Sequence, residues 1–167
     1  SYFHINYIIS KIRNVYKLIL AIVMCEFAGI VGSLFTVSSI PNWYQTLATP
    51  ALNPPSWVFG PVWTTLYLLM GISLFLVWQK GWKKKNVKIA MSVFGIQLAL
   101  NGLWSIIFFG MQNPGLALLD IILLWFAILA SIILFYKISK PSSYLLIPYI
   151  LWVSFAAYLN YAIWILN

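Results

Sequence analysis

Five stretches of about 20 residues, apolar and almost free of charge, follow one another along the chain, with short links and loops between them. That length of helix crosses the ~30 Å hydrocarbon core of a bilayer. Hydrocarbon offers no hydrogen bonds, so a spanning segment must satisfy its own backbone, and a run of this length does so as a helix. Of the 167 residues, 63% are hydrophobic and 7% charged, and the mean hydropathy is +0.93. A soluble domain carries about 25% charged residues. The pattern predicts an all-α membrane protein, a bundle of five transmembrane helices in a single domain over 17–167, with spans at about 17–39, 57–79, 89–109, 115–136 and 144–166. Residues 1–16 are mixed apolar and basic and read as an N-terminal extension, suited to an interfacial amphipathic turn.

Charge orients the bundle. The ten basic residues fall into three segments: Lys11, Arg13 and Lys17; Lys80, Lys83, Lys84, Lys85 and Lys88; Lys137 and Lys140. Lysine and arginine next to spans stay on the inside, and with five spans these three segments share one face. The N-terminus is therefore expected inside and the C-terminus on the opposite face. These short clusters fit membrane lipids as partners and do not form the long stripe that nucleic acid requires. Cys25 and His4 are the sole cysteine and histidine, which excludes an intrachain disulfide and a His/Cys metal set. The membrane is the cell membrane in a prokaryote and an organellar one in a eukaryote.

Between spans one and two, a segment without charge holds Pro41, Pro50, Pro54 and Pro55 and the pair Trp43-Tyr44, as suits a folded loop at headgroup level. Pro54 and Pro55 donate no backbone hydrogen bond, so helix two starts only after them, and Pro61 falls in its first turns, where a missing N–H costs least. Phe59, Trp63 and Tyr67 recur every fourth residue and put three rings on one side of that helix. On span three, Gln97, Asn101, Trp104 and Phe108 share a face, and Tyr149, Trp152, Ala156 and Asn160 do so on span five. An amide in hydrocarbon turns inward, because leaving it unpaired costs several kcal/mol. Together these faces predict an intramembrane pocket beneath the loop, suited to a flat, hydrophobic, partly polar ligand that rings stack on and amides orient.

The same residues have plainer uses. Asn and Gln also glue helices together, which leaves Asn101 and Trp104 evenly divided between packing and ligand from spacing alone. Trp78, Trp82 and Trp164 sit near span ends and read as interfacial anchors. Glu26 and Asp120, the two acids, both lie inside spans without a basic partner; structural hydrogen bonding is expected for Asp120, and a proton-linked role is open to Glu26. Gly95, Ala99 and Gly102 form a small-residue seam, as do Ala28 with Gly32 and Gly29 with Ser33. One seam suits packing within the chain and the other a homodimer.

Trp43-Tyr44, Pro50, Pro54-Pro55-x-Trp57-x-Phe59-Gly60-Pro61-Val62-Trp63-Thr64-x-Leu66-Tyr67, Met70-Gly71, Gln97-Leu98-Ala99-Leu100-Asn101-x-x-Trp104, Phe108-Phe109-Gly110, Ala117-Leu118-x-Asp120 and Pro148-Tyr149-x-x-Trp152-x-x-Phe155-Ala156-x-x-Leu159-Asn160 together resemble the TspO/MBR family of tryptophan-rich sensory proteins and translocator proteins. The resemblance runs from about Gly32 to Asn167. It implies a five-helix receptor or carrier that binds porphyrins such as protoporphyrin IX, with no cofactor required, and, in animal members, cholesterol and benzodiazepine-type drugs. It carries ligand contacts over to Tyr44, Phe59, Trp63, Asn101, Trp104, Trp152, Ala156 and Leu159. Trp63 and Trp152 match the tryptophans implicated in light-dependent porphyrin breakdown, which makes a porphyrin-degrading enzyme with those two as its catalytic residues the alternative. The chain holds no nucleophile–base pair, so such catalysis would borrow photochemistry from the ligand. Tyr158 and Tyr161 are followed by no Lys or Arg, which leaves cholesterol recognition without its animal-family motif.

Overall fold

The structure is a computed structural model and describes residues 2–167. Helix α1 spans Tyr2–Asn42, and short 3-10 turns at Tyr44–Thr46 and Ser56–Val58 flank the proline loop. Helix α2 follows at Phe59–Trp78 and α3 at Lys85–Ser105, the latter ending in a π-helical turn at Ile106–Gly110. Helix α4 covers Pro114–Tyr136, the one-turn α5 covers Lys140–Tyr144, and α6 covers Ile147–Leu166. Five helical stretches are long and apolar enough to cross a membrane, so the expected all-α five-helix architecture is the one observed.

Two boundaries differ from expectation. The first helix begins at Tyr2 rather than near residue 17, because residues 2–16 contain neither glycine nor proline and nothing interrupts the backbone ladder. At 41 residues it is about 60 Å long, twice the hydrocarbon thickness. Its first half is largely exposed, from Tyr2 and Phe3 to Tyr16 and Ile19. The last span is preceded by α5, which Ser73 holds in place by donating to the Ser142 carbonyl at 2.6 Å.

Helix α1 packs between α2 and α3, α3 against α4, and α4 against α6, while α5 tucks under α2. Helices α2 and α6 meet through large rings: Phe59 lies edge-on to Trp152 at 6.2 Å and Trp63 edge-on to Tyr149 at 6.3 Å. The inner half of the bundle is closed by Met70, Val77, Phe94, Ile128, Phe135 and Val153, all buried. Lys17 lies over the Trp78 ring at 5.4 Å, which sets the start of the bundled part of α1 level with the end of α2 on the basic face.

Close approaches between helices depend on small residues. A β-carbon on Gly71 would sit 2.5 Å from the Ile22 Cα, so α1 and α2 touch backbone to backbone there. Gly29 faces the Tyr67 ring and Gly32 the Ser105 side chain, each closer than 3.0 Å to where a β-carbon would stand. The span-one seam is thus spent on packing within the chain. The seam on α3 is not: nothing lies within 4 Å of a β-carbon on Gly95 or Gly102, and Ala99 is exposed. At the outer turn, Gln112 adopts φ 52°, Pro114 opens α4, and the Asn113 side chain caps that helix by accepting from the Leu116 N–H at 3.0 Å.

Gly71→Ala is expected to lower thermal stability in detergent by the equivalent of about 2 kcal/mol, since the backbone of α1 cannot yield as a side chain would. Gly95→Ala should leave stability unchanged or raise it by up to about 1 kcal/mol through helix propensity. Differential scanning fluorimetry of both variants checks the contrast. Cysteines placed at Lys84 and Asn113, in a Cys25→Ser background, should react with membrane-impermeant maleimide from opposite sides of a vesicle; reaction from one side would contradict five crossings.

Candidate functional site: an aromatic cavity in the outer half of the bundle

A cavity of about 460 Å³ occupies the outer half of the bundle and takes walls from every long helix. All eight candidate ligand residues, Tyr44, Phe59, Trp63, Asn101, Trp104, Trp152, Ala156 and Leu159, line it. Trp63 stacks on Tyr67 with centroids 5.6 Å apart, so the four-residue periodicity of α2 does deliver a continuous aromatic wall. Opposite it, Trp104 stacks on Phe108 at 5.0 Å. The π-helical turn inserts an extra residue here, which buries both Phe108 and Phe109.

Of the two uses the spacing left open to the amides, the structure shows helix-to-helix bonding. Asn101 accepts a hydrogen bond from Tyr67 and donates to the Tyr149 hydroxyl at 2.8 Å; that hydroxyl in turn donates to Gln97 at 2.7 Å. Asn160 accepts from the Trp104 indole at 2.9 Å and donates to the Pro114 carbonyl at 2.8 Å. Each amide therefore joins three helices and fixes the tilt of a ring that forms the wall. Gln97 and Tyr149 lie beneath the floor and do not reach the cavity.

The Trp152 indole N–H is buried in the wall and has no hydrogen-bond partner among the described residues. Buried donors are normally paired, so this one is available to an acceptor in the cavity. Asp120 departs from expectation as well: its Oδ2 is buried and accepts no bond, and its neighbours Ile121 and Leu124 are apolar. On α6, Ser154 pairs with Trp125 at 2.8 Å and Asn160 with Trp104 and Pro114, and none of these groups bonds to Asp120. Glu26 lines the cavity at its inner end and is the one charged side chain among the described lining residues.

Tyr44 closes the cavity from above. Its ring packs on Phe109 at 5.7 Å, and its hydroxyl donates to Asn53 at 3.0 Å across the proline loop. Burial pushes this phenol above its ordinary pKa, and the bond to Asn53 offsets part of the rise. A second clamp comes from Asn167, whose amide accepts from the Ala48 N–H at 3.0 Å and donates to the Ala48 carbonyl at 2.9 Å. Sequence reasoning missed the α1 wall, from Glu26 and Gly29 to Val37 and Ile40, and the α4 wall of Ile121 and Leu124. The small residues of α1 were the available signal, since close packing and a smooth cavity wall call for the same residue types. Trp82 and Trp164, expected as anchors, are half exposed near the span ends.

The profile of the TspO/MBR family matches residues 21–165. The chain is 47% identical over 155 residues to the tryptophan-rich protein TspO of Chlorobaculum tepidum, covering 93% of this chain and 98% of that one. Its identity to the tryptophan-rich protein TspO of Archaeoglobus fulgidus is 46%, over 92% of this chain and 99% of the relative. The human translocator protein is 41% identical over 136 residues, 80% of either chain. With a profile that covers most of its length and relatives this similar over nearly their whole length, the chain is an integral multi-pass membrane protein that belongs to the TspO/MBR family.

Proposed function

We propose that the protein is a receptor or carrier that binds a porphyrin, protoporphyrin IX or a close relative, in the cavity beneath the proline loop. The observation that carries this reading is the cavity itself: two stacked aromatic pairs on facing helices around about 460 Å³, with the Trp152 N–H unspent in the wall. Flat aromatic faces favour a flat conjugated ligand through dispersion and stacking. The free Trp152 donor favours an acceptor at the ligand edge, such as a carbonyl or carboxylate oxygen. The volume falls in the range of small-molecule sites, about 300–1,000 Å³. Kinship with a protein named a translocator protein supports the receptor or carrier reading.

The alternative is light-driven breakdown of the bound porphyrin with Trp63 and Trp152 as electron donors. Both indoles line the same cavity, which favours keeping it as the second reading.

Titration of protoporphyrin IX into detergent-solubilised protein, in the dark and then under light, separates the two. A receptor or carrier gives saturable binding and a spectrum that illumination leaves unchanged. Loss of the porphyrin band that requires light and disappears in the Trp63→Phe/Trp152→Phe variant would put degradation first. Trp104→Ala should weaken binding about tenfold, the equivalent of 1.4 kcal/mol, by removing half of a stacked pair. Asn101→Leu should weaken binding too and lower thermal stability by about 1–3 kcal/mol, because Tyr67 and Tyr149 each lose a partner in a dry site. Unchanged affinity in both variants would remove the cavity from consideration.

A further inference from the structure

We infer that the cavity is filled sideways from the bilayer, through a slot between the outer halves of α1 and α2, and that its ligand is a membrane-dissolved amphiphile taken from the leaflet on the loop side. The inference rests on the binding reading above for its ligand, and on the unequal sealing of α1 for its geometry.

On the α3 side α1 is closed along its outer half. Gly32 meets Ser105, Phe35 covers Gly110, and Ser39 donates to the Phe109 carbonyl at 2.7 Å. On the α2 side the contact is tight at Ile22 with Gly71 and again at Gly29 with Tyr67. Beyond that point it stops. Ile30, Ser33 and Val37 on α1, Gly60 and Thr64 on α2, and Trp57 in the 3-10 turn that precedes α2 line the cavity and are at the same time exposed. A β-carbon on Gly60 would meet nothing within 4 Å. A residue that belongs to both an inner wall and an outer surface marks an opening. Along α1 this one runs for two helical turns, about 10 Å of the axis.

The rim suits hydrocarbon. Its hydroxyls are turned back on their own helices: Ser33 donates to the Ile30 carbonyl at 2.7 Å, Thr36 to Gly32 at 3.0 Å, and Thr64 to Gly60 at 2.9 Å. These three hydroxyls are thereby withdrawn from the gap, and their helices present methyl and methylene groups to the passing molecule. The top is fastened instead. Tyr44 is tied to Asn53 and Asn167 is clamped to Ala48 by two bonds, so a path from water requires breaking three hydrogen bonds, whereas the lateral path breaks none. A porphyrin or other lipophilic ring partitions into the bilayer first, which places it at the slot.

The test uses the full chain in liposomes. A β-carbon at Gly60 has open space around it, so Gly60→Phe sets a ring at the gap, and it should slow both association and dissociation of protoporphyrin IX by about tenfold, since a doorway serves both directions. Asn167→Ala, which unfastens the top, should leave both rates where they are. A second arm needs no porphyrin: Ala156→Cys in a Cys25→Ser background should be labelled by a long-chain N-alkylmaleimide dissolved in the bilayer, and Gly60→Phe should slow that labelling. Rates unmoved by Gly60→Phe, a change confined to dissociation, or faster association in Asn167→Ala would overturn the slot. If protoporphyrin IX fails to bind the parent chain, the porphyrin reading falls and the labelling arm decides alone: slowed labelling upholds the slot, and unslowed or absent labelling overturns it.

Discussion

Hydrocarbon supplies no partner for an amide, and the outer half of this bundle is arranged around how Asn101 and Asn160 meet that constraint. Asn101 joins α3 to α2 and α6 through two phenols, and Asn160 joins α6 to α3 and α4 through an indole and a carbonyl. In water such bonds would exchange with solvent at little net gain; in a dry bundle an unmade one carries its full desolvation cost. The aromatic rings are the other ends of these bonds. Their orientation, and with it the flat-walled shape of the cavity, is therefore fixed by polar bookkeeping rather than by packing alone. The Trp152 N–H is the place in that wall where the account is left open.

Steric economy does the complementary work. Gly71 lets α1 and α2 touch backbone to backbone, Gly29 and Gly32 let a ring and a serine side chain press against α1, and the inner half of the bundle is filled by ordinary large side chains. The outer half cannot be filled in the same way, because the π-helical turn and the rings above it hold the helices apart. The cavity is thus a product of the fold's own geometry: tight crossing at one level, bulky aromatic spacers at the next.

Much of this is legible in the sequence and some is not, for reasons that differ by residue. Phe59, Trp63, Trp104 and Trp152 announce their faces because helical periodicity and burial cost act together on large rings. Asn101 was placed correctly, but spacing cannot say whether an amide serves a ligand or a ring, since both options turn it inward. Asp120 misled because burial turns a carboxyl inward without supplying a partner, and whether a donor stands opposite it emerges only in three dimensions. The α1 wall stayed hidden because Gly29, Gly32 and Ser33 look the same whether they pack a helix or floor a cavity. The stretch expected to form an interfacial turn continues α1 as helix instead, because hydropathy marks where a membrane begins, while the helix runs until something breaks it.

That continuation has a mechanical consequence. Helix α1 is a cantilever: clamped from Lys17 outward by Trp78, Gly71, Tyr67, Ser105 and Phe109, and unsupported by the rest of the chain over its inner portion. The free arm from Lys17 back to Tyr2 is about 22 Å long, so each degree of rotation at the clamp carries its tip through about 0.4 Å. The clamp includes the same residues that border the cavity. A change of a few degrees there, too small to alter any contact in the wall, is magnified into more than an ångström of travel on the opposite side of the membrane.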